Sequence, residues 1–261
     1  MSELPEALDP FARLRAMTTA RVALGRSGAG LPTAPLLAFQ RDHALARDAV
    51  HAPFDPDVVA AGLADWPTIT VASRAPDRGA YLRRPDLGRA LDPIDAPRLA
   101  PGAFDLAIVI ADGLSAPAVH AHAAPVALAL RERLTGWRLA PVVLARLGRV
   151  ALGDEIGVRL GTAMVLVLIG ERPGLSAADS LGAYLTWAPA VGRRDSERNC
   201  VSNIRPPHGL SHLGAAHTIT WLVRAARDRA MTGVGLKDES GGAGLALHPG
   251  AAAPTMSSPG N

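Results

Sequence analysis

The chain has 261 residues, 48% of them hydrophobic and only 4% aromatic, with 27 Lys and Arg against 24 Asp and Glu and a formal charge of +3. So small a charge, carried by arginines scattered among acids, argues against a nucleic-acid footprint or a membrane-binding patch, and the length suits one large domain with or without an appendage. Cys200 is the one cysteine, which excludes an intramolecular disulfide and a cysteine-only metal site.

The acidic start, Met1 to Glu6, lacks the basic and apolar regions of a secretory signal. The longest apolar run, Met164 to Gly170, falls far short of the roughly 20 residues of a membrane span, so a cytoplasmic protein is expected. Leu8, Phe11, Leu14, Met17 and Val22 lie at mainly helical spacing and predict a helix over about 5–24, ended by the glycines between 25 and 30 and by Pro32. Thr33 is placed to cap a second helix running to His51. Asp55 followed by Pro56 opens a third. These helices make an expected N-terminal helical lobe over residues 1–65.

From 66 to 239 the pattern becomes α/β. Strands are predicted at 68–72, 104–111, 141–145, 164–170 and 182–187, and helices from Ser115 or Ala116 to about Leu134, near 153–161 and over 210–231. Strands separated by helices imply crossovers and a mainly parallel, Rossmann-like sheet. Gly233 is placed to end the last helix, and residues 240–261, mostly Gly, Ala, Pro and Ser, are expected to be a disordered tail.

Continuous apolar runs that stop at polar turns mark strands buried on both faces, and ligands of such sheets sit beyond the carboxyl ends of the strands. Two turns of this kind stand out. Glu171-Arg172-Pro173-Gly174 follows the run ending at Gly170, and Leu147-Gly148-Arg149-Val150 follows the run over 141–145. Read alone, the first favours a chain-reversing turn and the second a loop-to-helix junction. Cys200, read alone, is a small buried hydrophobe rather than a reactive thiol. Asp112-Gly113-Leu114-Ser115 ends a strand before a helix, and two readings stay open: amides offered to a polar ligand, or a turn and a cap. Gly25 to Gly30 lacks the G-x-G-x-x-G order of a dinucleotide site. Arg26, Arg83 and Arg84 are expected at the surface or at a subunit interface. His120, His122, His208, His212 and His217 have no carboxylate or cysteine companion at ligand spacing, so no metal is expected.

Several words of the sequence carry a resemblance. Ile169-Gly170-Glu171-Arg172-Pro173-Gly174-Leu175, Asp179-Ser180-Leu181-Gly182 and Glu197-Arg198-Asn199-Cys200-Val201-Ser202-Asn203-Ile204 resemble the small (light) subunit of adenosylcobalamin-dependent ethanolamine ammonia-lyase. So do, in the same order, Thr19 to Gly28, Tyr81 to Arg89, and Ala111 to Ser115, so that the resemblance covers roughly residues 10–240.

The resemblance implies a lyase subunit that is inactive alone and holds no catalytic residue. Its positions equivalent to Val150, Glu171 and Cys200 contact adenosylcobalamin, although the segment between Glu171 and Cys200 is one residue short in the loop near 190–192. It implies a large-subunit partner that binds ethanolamine, a hetero-oligomer of both subunits, and radical conversion of ethanolamine to acetaldehyde and ammonia. It places the complex in the cytoplasm, with or without a bacterial microcompartment. The chain carries no D-x-H-x-x-G sequence, so the cofactor is expected to keep its own lower ligand. A subunit that assembles the complex without touching the cofactor is the alternative. A nucleotide-dependent oxidoreductase would need a Gly-rich strand-to-helix turn that this sequence does not offer.

Overall fold

The β-branched and leucine-rich runs form strands, because such side chains fit a pleated surface buried on both faces. These are β1 (Thr68–Ala72), β2 (Leu106–Ala111), β3 (Val142–Arg146), β4 (Met164–Gly170) and β5 (Leu181–Trp187), joined by β6 (Arg198–Ile204). The structure is a computed structural model that describes residues 11–18 and 20–241. In it the strands make one sheet of order β1-β3-β2-β4-β5-β6. The first four positions pair in parallel, whereas β5 runs antiparallel to both β4 and β6. The sheet is therefore mixed and mostly parallel. The antiparallel part has a simple cause: β4 ends at Gly170 and β5 starts at Leu181, a gap too short for the dozen or more residues of a crossover.

The helices are α1 (Ala12–Met17), α2 (Thr33–His51), α3 (Pro56–Gly62), α4 (Arg78–Arg83), α5 (Ala116–Arg133), α6 (Leu152–Leu160) and α7 (His212–Arg229). Asp55 caps α3 by accepting from the Asp57 amide, with Pro56 in its first turn, as the sequence predicts. Ser115 and Ser211 cap α5 and α7 in the same way. Thr33, by contrast, is the first residue inside α2, and the cap position is Pro32, whose ring supplies no side-chain bond. Of the first predicted helix, α1 is the helical part among the described residues, and the residues after it follow no helix until Thr33. The last helix ends at Ala230, which takes the left-handed conformation (φ 51°), and not at Gly233. Gly233 serves another purpose, because a Cβ there would lie 2.2 Å from the Ser196 carbonyl oxygen. The tail predicted to be disordered falls almost wholly outside the described residues.

Two apolar cores sandwich the sheet. On one face Val119, Val126 and Leu130 of α5, Val59 of α3 and Ile219 and Val223 of α7 cover Leu106, Ile108, Ile110, Leu166 and Leu168. On the other, Leu152, Ile156 and Leu160 of α6 cover Val109, Val143, Val165 and Val167. All seven residues of β4 are buried, and each fully buried Val, Leu or Ile contributes about 1.5–3 kcal/mol relative to exposure. α6 lies close because Gly153 has no side chain, and a Cβ there would stand 2.4 Å from a Val167 methyl. α2 is different: it buries only Ala49, while Leu36, Leu37, Phe39 and Leu45 remain exposed. Among the described residues no helix is long and apolar enough to cross a membrane.

Candidate functional site

The connection from β2 to β3 runs through α5 on one face, and the connection from β3 to β4 runs through α6 on the other. The chain therefore leaves the neighbouring ends of β2 and β3 toward opposite faces, which opens a crevice at the carboxyl edge of the sheet. Asp112, the residue after β2, stands at this point and is 1% exposed. Its carboxylate accepts from Arg78 Nη2 at 2.7 Å and from the Gly148 amide at 3.2 Å, while Arg78 Nη1 donates to the Gly113 carbonyl at 2.7 Å. One buried carboxylate thus clasps the loop after β2 to the loop after β3. Burial pushes the Asp112 carboxyl up to about 6 against the opposing pull of Arg78.

Tyr81 of α4 braces the same loops. Its hydroxyl donates to the Gly148 carbonyl at 3.2 Å, and the guanidinium carbons of Arg149 and Arg78 lie 4.6 and 5.0 Å from its ring centroid. Burial, reinforced by Asp112, raises its hydroxyl to about 12, so it stays a neutral donor. Arg149 Nη2 donates to the Tyr81 carbonyl at 3.0 Å. Arg149 Nε is buried and has no hydrogen-bond partner among the described residues.

On the β4 side, the Gly170 carbonyl accepts the Leu114 amide at 2.9 Å, and a Cβ on Gly170 would lie 2.1 Å from the Ser115 carbonyl oxygen. That approach needs glycine. Glu171 comes next. Its amide donates to the Ser180 carbonyl at 2.9 Å, and its carboxylate accepts from the Ser180 hydroxyl, from the Ser202 hydroxyl at 2.6 Å and from the Asn203 amide at 3.3 Å. The carboxylate thus ties the end of β4 to the start of β5 and the end of β6. Pro173 and Gly174 do reverse the chain, since Gly174 and Ala177 exchange backbone hydrogen bonds of 2.9 and 3.2 Å.

A crevice of about 450 Å³ lies among these parts, lined by Tyr81, Gly113 and Leu114, by Arg149 and Val150, and by Ile169 to Arg172 and Tyr184. Val150 and Glu171, 21 positions apart, meet there. Cys200 does not line it. It stands opposite Tyr184 in the β5–β6 pair, and it is exposed there, not the buried hydrophobe that the residue read alone suggests. Desolvation raises both groups, and the charge of Glu171 raises them further, so the thiol stays protonated near neutral pH. The arrangement offers a packing and hydrogen-bonding surface, with no activated nucleophile.

Asp112 and Ser115 are occupied within the fold, by the clasp and by the helix cap, whereas Gly113 and Leu114 between them reach the crevice. His122 Nδ1 and His212 Nε2 lie 3.0 Å apart, and His120 Nε2 accepts the Asp55 amide, so these imidazoles bond within the fold. Arg84 pairs with Asp86 at the surface. Sequence reasoning missed Arg78 and Tyr184 as parts of the site, and it placed Arg149 in a candidate turn without giving its side chain a role. Tyr81 carried a signal, since it begins one of the family-like words. A wider depression of about 790 Å³ involves Phe11, Leu24, Arg26 and Pro35 and shares no residue with the strand ends.

Comparison with known proteins shows the family. The family model for the ethanolamine ammonia-lyase light chain matches residues 8–237. The chain is 53% identical over 240 residues to the ethanolamine ammonia-lyase small subunit of Ralstonia nicotianae, covering 88% of each chain. It is 54% identical over 246 residues to the small subunit of Azotobacter vinelandii, covering 90% of this chain and 91% of the relative. The small subunit of Pseudomonas syringae pv. tomato is 52% identical over 242 residues, covering 89% of this chain and 84% of the relative.

Proposed function

The chain belongs to the ethanolamine ammonia-lyase light-chain family, and we propose that within such a complex its carboxyl-edge crevice holds part of adenosylcobalamin. The observation that carries this reading is that Val150 and Glu171 line one crevice, with Cys200 the cross-strand neighbour of Tyr184 in its wall. When bound, that cofactor supplies radical initiation for the conversion of ethanolamine to acetaldehyde and ammonia. The residues of this chain orient and enclose. Val150 offers an apolar contact to a flat ring. Glu171, aimed by Ser180 and Ser202, keeps acceptor capacity for an amide N–H of the ring periphery. Cys200, held neutral beside Tyr184, packs and does not attack. The unpaired buried donor of Arg149 fits a site that is completed by a polar ligand.

A corrinoid is larger than the drug-sized ligands that pockets of roughly 300–1,000 Å³ enclose, so a crevice of about 450 Å³ takes only an edge of it. The large subunit covers the rest and binds ethanolamine. Exposed Leu36, Leu37, Phe39 and Leu45 on α2 fit a chain that buries further surface in an assembly. The helix-covered parallel strands then serve as a Rossmann-like platform in a cytoplasmic complex, with or without a microcompartment.

One observation favours the rival reading, an assembly subunit that does not touch the cofactor: both Glu171 oxygens are already bonded within the chain. Glu171→Gln in the complex with the cognate large subunit separates the two. Loss of a hydrogen bond to the charged carboxylate is expected to weaken adenosylcobalamin binding by about tenfold with assembly intact. Unchanged affinity with weakened assembly would establish the scaffold.

A further inference from the structure

Resting on the reading of the crevice as an adenosylcobalamin site, we propose that Arg149 and Arg172 form an anion subsite that recognises the phosphate of the cofactor's nucleotide loop. Arg149 comes from the turn after β3 and Arg172 from the turn after β4, and both line the same crevice. The guanidinium of Arg149 is fixed before any ligand arrives. It rests on the Tyr81 ring, 4.6 Å from the centroid, and Nη2 donates to the Tyr81 carbonyl. Its Nη1 makes no hydrogen bond among the described residues, and its Nε is buried without a partner.

A planar cation held by stacking, with donors to spare, is the form in which arginine binds phosphate oxygens. Arg172 is exposed and has no hydrogen bond or ion pair among the described residues. Glu171 is the one carboxylate lining the crevice, and Ser180, Ser202 and the Asn203 amide temper it. The two arginines therefore leave the lining with a net positive charge. Adenosylcobalamin is otherwise rich in neutral amides, and its phosphodiester is the anionic group such a pair would select.

The test uses the complex of this chain with its cognate large subunit and two probes that differ by a phosphate alone, adenosylcobinamide and adenosylcobinamide phosphate. Binding is read by ultrafiltration and visible absorption, without turnover. The wild-type complex is expected to prefer the phosphate-bearing probe by at least about tenfold, the size of a charge-assisted hydrogen bond. Arg149→Met is expected to bring that preference to within about twofold while affinity for the phosphate-free probe is kept. Arg172→Met, at an exposed position where folding is not at stake, is expected to reduce the preference as well. The inference is overturned if wild type shows no preference, or if the Arg172→Met preference equals that of wild type. It is overturned too if Arg149→Met weakens both probes equally, the mark of a residue that only shapes the loop. Failure of the wild-type complex to bind any corrinoid, adenosylcobalamin included, would refute the cofactor reading itself and this inference with it.

Discussion

Replacing Asp154 with Asn removes one charge from the most deeply buried ion pair among the described residues. Arg198, the first residue of β6, donates from Nη1 and Nη2 to the two Asp154 oxygens at 2.7 and 2.6 Å, and both side chains are 1% exposed. Nη1 also donates to Thr186 Oγ1 at 2.7 Å, and Nη2 to the Arg193 carbonyl at 3.0 Å. Asp154 lies in the first turn of α6, four residues after Val150, and Arg198 lies two residues before Cys200. The pair therefore ties together the segments that carry two of the proposed cofactor contacts. Asparagine keeps the shape but leaves the buried guanidinium only the exposed Asp195, 3.7 Å from Nε, as an acidic partner, a change that costs up to about 3–5 kcal/mol. With an m value of about 3 kcal/mol/M, the urea midpoint should fall by roughly 1–2 M. Urea unfolding of the purified chain, followed by far-UV circular dichroism, reads this directly. The double replacement Asp154→Leu with Arg198→Met, which removes both charges, should recover most of the loss. A loss below about 1 kcal/mol for Asp154→Asn, or a double variant no better than the single, would refute the reasoning.

Two further outcomes are expected from the carboxyl edge. The folded-state pKa of Asp112 is raised to about 6 by burial, so the native chain holds this proton more tightly than the unfolded chain. Its contribution to stability is then fully present below about pH 4 and is lost as pH rises through 6. Relative to Asp112→Asn, wild type should lose up to about 3 kcal/mol between pH 4 and 7 in urea titrations, and a stability difference that does not vary with pH would contradict this. Gly170→Ala places a methyl 2.1 Å from the Ser115 carbonyl and 2.6 Å from the Asp112 carbonyl, both backbone atoms. It should destabilise the chain by about 1–3 kcal/mol or more, seen as a lowered Tm, and an unchanged Tm would show that the edge can open.

The strands that the sequence predicts best are the ones whose environment is uniform. Met164–Gly170 is buried at every position, so its apolar run and its strand have the same limits. β6 was not predicted, because an edge strand with only β5 as neighbour needs no continuous apolar run, and Asn199, Ser202 and Asn203 interrupt its pattern. α4, six residues long, is too short for helical periodicity to register, yet it brings Arg78 and Tyr81 to the site. The meeting of Val150 with Glu171 followed from resemblance and from the rule that ligands sit at strand ends. The clasps behind them did not: Arg78 and Asp112 are 34 positions apart, Arg198 and Asp154 are 44 apart, and nothing local in either pair announces its partner. The position of Cys200 opposite Tyr184 is set by the β5–β6 register, which no local pattern around residue 200 announces.

The measurement that bears most directly on the account is acetaldehyde formation from ethanolamine in the presence of adenosylcobalamin, compared for this chain alone, its cognate large subunit alone, and the two co-expressed. The account predicts activity only in the co-expressed complex, lowered by replacement of Glu171. A stable but inactive complex, or equal activity from the large subunit alone, would contradict it.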